Sequence, residues 1–198
     1  MAIRVALNGF GRIGRNVLRA AWHDPGIEFV YINDLTSDDM LAYLLQNDSV
    51  HGRWTETVEA VDGGLRIGDK VIKTSAIRDP KQLPWAEAEV DAVMECTGVF
   101  RNRDKATWHL DAGAKRVLIS APAGDPDFTV CMGVNDADLR SEHRIISNAS
   151  CTTNCLAPMA KVLNDNFGIE GGLITTIHSY TMDQNLLDAP HKDFRRAR

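Results

Sequence analysis

Ile3-Arg4-Val5-Ala6-Leu7-Asn8-Gly9-Phe10-Gly11-Arg12-Ile13-Gly14 is the stretch that decides the fold. Its first five residues form a compact strand candidate, the glycines a turn, and the residues onward through Trp22 a helix. In such a unit the first glycine permits the tight bend and the second lets a pyrophosphate approach the backbone. The third lets helix and strand pack closely. Glycines also punctuate ordinary turns, so the context carries the reading. A second apolar strand, Phe29-Val30-Tyr31-Ile32, ends in Asn33-Asp34, and Asp34 stands twenty residues after Gly14, where an acid accepts hydrogen bonds from an adenosine ribose. The competing role for Asp34 is to cap a helix starting near Thr36. Strand, glycines and acid together predict dinucleotide binding. A carboxylate at that position would repel a 2′-phosphate, which favours NAD over NADP.

Working outward, Asp38 to Gln46 reads as a helix and Thr55 to Thr74 as an irregular set of short strands around Asp62-Gly63-Gly64 and Gly68-Asp69. Strand Ala92 to Cys96, helix Asp104 to Ala112 and strand Arg116 to Ser120 then restore β/α alternation. The expected fold class is α/β, a Rossmann-like doubly wound parallel sheet followed by the start of an α+β catalytic domain. Ligands in such sheets sit at the carboxyl ends of strands, which brings Thr97, Gly98 and Ser120 towards the crevice with Gly9 to Gly14; turn chemistry is their simpler reading. The domain boundary is expected near Asn148, giving 1–148 and 149–198, because alternation there yields to a different pattern.

That pattern is Ala149-Ser150-Cys151-Thr152-Thr153-Asn154-Cys155, which sets a thiol among small polar residues where a helix should begin. Ile145-Ile146-Ser147-Asn148 looks like a strand end, and Cys151 to Phe167 carries apolar residues at helical spacing. A thiol in the first helical turn meets unpaired N–H groups and the positive end of the helix dipole, which favour the thiolate and can hold a developing oxyanion. Twenty-seven residues on, Ile174 to Thr181 reads as a buried strand delivering His178, a plausible base. The pair suggests covalent catalysis. A lone cysteine is more often a small buried hydrophobe, and Cys96 and Cys131, in apolar strand-like runs, take that reading. Cys155, one turn after Cys151, could make a redox pair or half a metal site; no second pair of ligands supports a metal.

Composition narrows the class. The 198 residues are 44% hydrophobic and 25% charged, enough for one substantial core and part of a second. A net charge of -5 argues against a sequence-independent nucleic-acid surface, and Arg195-Arg196-Ala197-Arg198 is too short to reverse it. No run approaches transmembrane length and no signal-peptide pattern precedes the first strand, so no membrane association is expected. Four irregularly placed thiols fit a reducing cytoplasm.

Taken together, Asn8 to Arg15, Ser147 to Asn154 and His178-Ser179-Tyr180-Thr181 resemble phosphorylating glyceraldehyde-3-phosphate dehydrogenase along the whole chain. The resemblance implies that Arg12 and Ile13 hold the NAD pyrophosphate on backbone amides, with Asn33 and Asp34 at the ribose and Arg78 on the adenine side. Thr97 and Ser120 would lie towards the nicotinamide. It implies that Cys151 attacks the aldehyde of glyceraldehyde 3-phosphate, that His178 serves as base, and that inorganic phosphate resolves a thioester to 1,3-bisphosphoglycerate. Ser150, Thr152 and Arg195 resemble the inorganic-phosphate site, with Arg196 and Arg198 as neighbours, and Thr181 part of the site for the substrate's own phosphate. The implied assembly is a homotetramer. The chain stops at Arg198, within the loop after His178, so strands that would bury the Cys151 helix are expected to be absent and apolar surface exposed. Met182 stands where many relatives have asparagine, and Ala189 precedes Pro190 where many NAD-specific members have leucine, which loosens discrimination against NADP. Rival readings are erythrose-4-phosphate dehydrogenase, against which Ser179-Tyr180-Thr181 speaks, and a non-catalytic NAD-binding or interaction module.

Overall fold

The computed structural model describes residues 1–181, 184, 189–191 and 193–197. Met1–Val162 packs as one unit and Leu163–Arg198 as another. In the first unit the strands are β1 (Ile3–Asn8), β2 (Ile27–Asn33), β3 (Asn47–Asp48), β4 (Gly52–Arg53), β5 (Val58–Val61), β6 (Gly64–Ile67), β7 (Lys70–Ser75), β8 (Ala92–Glu95), β9 (Arg116–Ile119), β10 (Phe128–Thr129) and β11 (Ile145–Ser147). The helices are α1 (Arg12–Ala21), α2 (Asp38–Gln46), α3 (Arg103–Asp111) and α4 (Cys151–Phe167).

Among the described residues the main sheet has nine strands in the order β10-β11-β9-β8-β1-β2-β7-β6-β5. The strands from β10 to β7 run parallel, as the alternation predicts. The irregular stretch from Thr55 becomes two antiparallel hairpin pairings that extend this sheet at one edge, a join that short strands do not reveal in sequence. From β1 the chain moves one way to β2 and later the other way to β8, so the strand order reverses beside β1 and opens a crevice at the strands' carboxyl ends.

Alternation within β1 decides which core each residue enters. Val5 and Leu7 join Leu18 of α1 and Leu41 and Leu45 of α2 on one face. Ala6 faces the other, with Trp85, Val90 and Val93. A third cluster, Val117, Ile119, Ile145 and Ala106, seats α3 against the sheet. Both faces of the parallel strands are therefore covered, which suits their near-continuous apolar runs.

Two glycines set the first turn. Gly9 has φ +90°, and a Cβ there would lie 2.7 Å from the Thr97 nitrogen. At Gly14 a Cβ would lie 2.3 Å from the Gly9 carbonyl oxygen, so α1 sits against the turn with no room for a methyl group.

One expectation is corrected. Ile174 to Thr181 forms no strand: the segment lies outside any ladder, and its Ile174, Ile177 and Tyr180 side chains are exposed. β-branched composition favours a strand only when a neighbour supplies the hydrogen-bond partners, and no described segment pairs with it. Similarly, α4 forms over the residues its periodicity predicts but buries none of them, and Met159, Val162, Leu163 and Phe167 lie open. The expectation about Met182 and the alternative Arg198 lie outside the described residues.

Gly14→Ala is expected to cost about 1–3 kcal/mol through overpacking, read as a lower urea midpoint with unchanged slope. Full retention of stability would show that α1 can shift freely. At the opposite sheet edge, burial pushes the Asp127 carboxyl up, but hydrogen bonds from Ile145, Arg103 and Arg144 outweigh it and hold the group at about 2. A depressed acid stabilises the fold above its ordinary value of 3.8 and loses that contribution as pH falls towards 2. An Asp127→Asn variant should therefore show a flatter loss of stability across that acid window.

Candidate active site and cofactor crevice

The crevice at the switch point encloses about 400 Å³ and is lined by Asn8, Gly9 and Gly11 on one side and Cys96, Thr97, Val99 and Phe100 on the other, with Asn33, Asp34, Ile77 and Arg78 along the β2 end. Most of the cofactor residues expected from sequence meet here. Gly14, Arg12 and Ile13 belong to α1 behind the turn, and Gly98 and Ser120 sit beside it. The Ser120 hydroxyl donates to the Glu95 carbonyl at 3.1 Å.

The start of α1 suits an anion. Gly11 caps it with no side-chain hydrogen bond and no acidic residue stands in the first turn, so the N–H groups of that turn and the helix dipole are open to an incoming anion. The Arg12 guanidinium turns away to grip Asp48 at 3.0 and 3.4 Å. N–H groups of His51 and Val50, with Arg12, hold that carboxyl well below the usual carboxylate range. Arg12 is thus available to a phosphate through its backbone, while its side chain braces the β3–β4 hairpin.

Asp34 does not cap α2, whose N-cap is Ser37. One carboxylate oxygen accepts from the Phe10 N–H at 2.7 Å and the other from the Thr36 N–H at 2.9 Å. The acid is therefore tied to the glycine turn itself, half-buried at the β2 end of the crevice, with lone pairs still open to further donors. Glycines that a Cβ would overfill, an open helix start and a tethered acid together fit a dinucleotide.

The thiol is built by a different local device. Ser147 is buried and its hydroxyl donates to the Ala121 carbonyl at 2.9 Å while accepting from the Ala149 N–H at 3.1 Å. Ala149 takes φ 57°, uncommon for a residue with a Cβ, and turns the chain sharply from β11 into α4. Ser150 is the N-cap: its hydroxyl accepts from the Thr153 N–H at 2.9 Å and its carbonyl from the Asn154 N–H at 2.9 Å. The Asn154 amide closes the turn by donating to the Asn148 and Ser150 carbonyls. Cys151 consequently occupies the first helical position with its side chain exposed, Thr152 beside it and Cys155 one turn on, also exposed.

The other thiols differ. Burial pushes the Cys96 thiol up to about 11. Cys131 is buried with its sulfur 3.8 Å from the Asn154 carboxamide oxygen, a polar neighbour that its apolar run did not announce.

His178, Thr181 and Arg195 belong to the second unit. His178 is exposed, with Nδ1 against the Ser179 carbonyl. The Thr181 N–H donates to the Gln184 side chain at 3.0 Å, and Arg195 lies in a short helical turn, Phe194–Arg196, capped by Asp193.

Comparison with known proteins assigns the family. Residues 3–103, just over half of the chain, match the glyceraldehyde 3-phosphate dehydrogenase NAD binding domain. The chain belongs to the glyceraldehyde-3-phosphate dehydrogenase family. Residues 150–198 match the C-terminal domain of the same family. The chain is 57% identical over 199 residues to glyceraldehyde-3-phosphate dehydrogenase 1 of Bacillus subtilis, covering 100% of this chain and 59% of that protein. The glyceraldehyde-3-phosphate dehydrogenase of Geobacillus stearothermophilus gives the same four figures, and glyceraldehyde-3-phosphate dehydrogenase 1 of Streptomyces arenae is 56% identical over 200 residues, 100% of this chain and 60% of its own length. The chain thus spans about three fifths of the length of these relatives. NAD is the cofactor of the matched domain.

Sequence reasoning missed Glu95, Trp85 and His109, which are fully buried behind the crevice. A charged residue inside the apolar run Val90 to Cys96 was the available signal.

Alkylation with iodoacetamide at pH 8 should mark Cys151 and Cys155 and spare Cys96 and Cys131 until denaturant is added, as peptide mapping would show. Rapid labelling of Cys96 in the folded protein would contradict its partly buried, raised thiol.

Proposed function

We propose that this chain carries the cofactor domain and the nucleophile of a phosphorylating glyceraldehyde-3-phosphate dehydrogenase. The observation that carries the reading is an exposed thiol at the first position of a capped helix, in the same packed unit as the dinucleotide crevice. The names of the relatives support the substrate, glyceraldehyde 3-phosphate. The division of labour follows 1–148 for NAD and 149–198 as the beginning of the catalytic domain.

NAD supplies the hydride acceptor. In the first step the Cys151 thiolate adds to the aldehyde carbon, and the carbonyl oxygen takes a proton to give a hemithioacetal. The N–H groups at the start of α4 favour the thiolate and the developing oxyanion. His178 then removes the hydroxyl proton as hydride leaves the same carbon, so the aldehyde is oxidised by two electrons to a thioester on Cys151. An oxygen of inorganic phosphate attacks that carbon and the thiolate departs, leaving an acyl phosphate and the free enzyme. Ser150, Thr152 and Arg195 would hold the inorganic phosphate and Thr181 the substrate's own; arginine suits the task because its planar donors grip two oxygens at once. Asp34 would hold the ribose and Arg78 the adenine side.

The exposed face of α4 calls for a covering surface, and the greater length of the relatives supports a further part of the catalytic domain in that role. A homotetramer working in the cytoplasm completes the proposal. Among the described residues no helix is long and apolar enough to cross a membrane.

The test is NADH formation from glyceraldehyde 3-phosphate, NAD and phosphate. Cys151→Ser is expected to abolish turnover with NAD affinity within about twofold, since the thiol acts in chemistry and not in cofactor binding. His178→Asn should slow turnover by about 10²-fold or more and slow alkylation of Cys151 at neutral pH. Binding of NAD with no NADH formed by the unmodified protein would favour the non-catalytic module instead.

A further inference from the structure

Behind the crevice, the side chains ending four adjacent strands form one chain of hydrogen bonds. The Ser75 hydroxyl of β7 donates to the Asn33 carboxamide oxygen at 2.8 Å. The Asn33 amide of β2 donates to the Asn8 oxygen at 2.8 Å, and the Asn8 amide of β1 donates to Glu95 Oε2 of β8 at 2.6 Å. From the other side the Trp85 indole N–H donates to His109 Nδ1 at 3.0 Å, and His109 Nε2 lies 3.0 Å from the same Glu95 oxygen. An indole N–H can only donate, so Nδ1 is an acceptor and Nε2 carries the hydrogen towards Glu95. Both runs of donors converge on one carboxylate with no exposed side-chain surface.

The second oxygen, Oε1, accepts from the Thr97 N–H at 2.8 Å and from the Thr97 hydroxyl. That hydroxyl in turn accepts from the Val99 N–H at 3.1 Å. One oxygen of Glu95 therefore holds the end of β1, where the glycine turn begins, and the other holds the turn Thr97 to Val99. These are the two facing walls of the crevice, and they touch where Gly9 meets Thr97.

We infer that Glu95 is the positioning residue of the cofactor crevice, a clasp whose two oxygens fix the spacing between the glycine turn and the Thr97 wall and so the seat of the nicotinamide half of NAD. His109, oriented by Trp85, aims the clasp. The inference rests on the reading of this crevice as the NAD site, with Thr97 on the nicotinamide side. Glutamine cannot replace the acid. Its NH2 group would face either the Thr97 N–H or the Asn8 amide and His109 Nε2–H, and those donors are locked by Asn33 and Trp85 respectively. A buried donor would be left facing a donor in either placement.

The experiment is calorimetric titration of the 198-residue protein and its Glu95→Gln variant with NAD and with ADP, which occupies only the adenosine half. Glu95→Gln is expected to weaken NAD binding about tenfold or more, as loss of charge-assisted hydrogen bonds implies, while ADP affinity stays within about twofold. Equal loss of both ligands, or no loss of either, overturns the inference. Thr97→Val, at an exposed position, keeps the side-chain shape and deletes the hydroxyl joining Val99 to Glu95; it decides the matter if Glu95→Gln does not fold. It should also weaken NAD selectively, and unchanged NAD affinity would overturn the clasp. Failure of the unmodified protein to bind NAD would refute the crevice assignment itself, a result distinct from a normal parent with an unaffected variant.

Discussion

Three backbone segments meet at Gly9 with less space between them than one methyl group needs. The turn after β1, the first coil of α1 at Gly14 and the start of the Thr97 turn are all within contact of that residue. Everything that makes the crevice follows from this close approach. It brings the open end of α1 to the carboxyl edge of the sheet, and it places the Phe10 N–H within 2.7 Å of the Asp34 carboxylate. It also sets the two walls directly against each other. A helix that could not lie so near the turn would point its N–H groups away from the strand ends, and the acid and the helix dipole would serve different places.

Close backbone contact at a sheet's switch point carries a polar cost, because neighbouring strands send their chains to opposite faces and leave side chains between them out of water. Asn8, Asn33, Glu95 and His109 are buried there. The cost is met by complete pairing: each carboxylate oxygen of Glu95 receives two donors, and the asparagines pass hydrogen bonds along the strand ends. Such a network rigidifies when every member is satisfied and destabilises when one is not. This explains why residues that never reach solvent are polar in this sheet, where the parallel strands are otherwise apolar.

The nucleophile turn relies on local chemistry instead of a buried network. Ser147, Ser150 and Asn154 satisfy the backbone groups around a left-handed Ala149, and the result is a thiol presented at a helix start. Those small polar residues were legible because capping acts over three or four positions in sequence. The histidine segment behaved otherwise. Its β-branched run predicts a strand, yet a strand exists only through a neighbour, and among the described residues it has none. Propensity described the segment's preference and not its pairing.

The sequence by itself determined the parallel α/β architecture, the glycine turn, Asp34 and the extent of α2 and α4, since each depends on periodicity or on residues a few positions apart. It also marked Cys151 through its capped surroundings. Only the tertiary structure decided that Thr55 to Thr74 would extend the main sheet, that Asp34 would bind the Phe10 N–H before any ribose, and that the Arg12 side chain would hold Asp48. It alone revealed the convergence of Trp85, His109, Asn8 and Thr97 on Glu95. Apart from the neighbouring pair Glu95 and Thr97, these hydrogen bonds join residues from fourteen to almost ninety positions apart, and contacts of that kind have no period along the chain. They become visible only when the strands have taken their order.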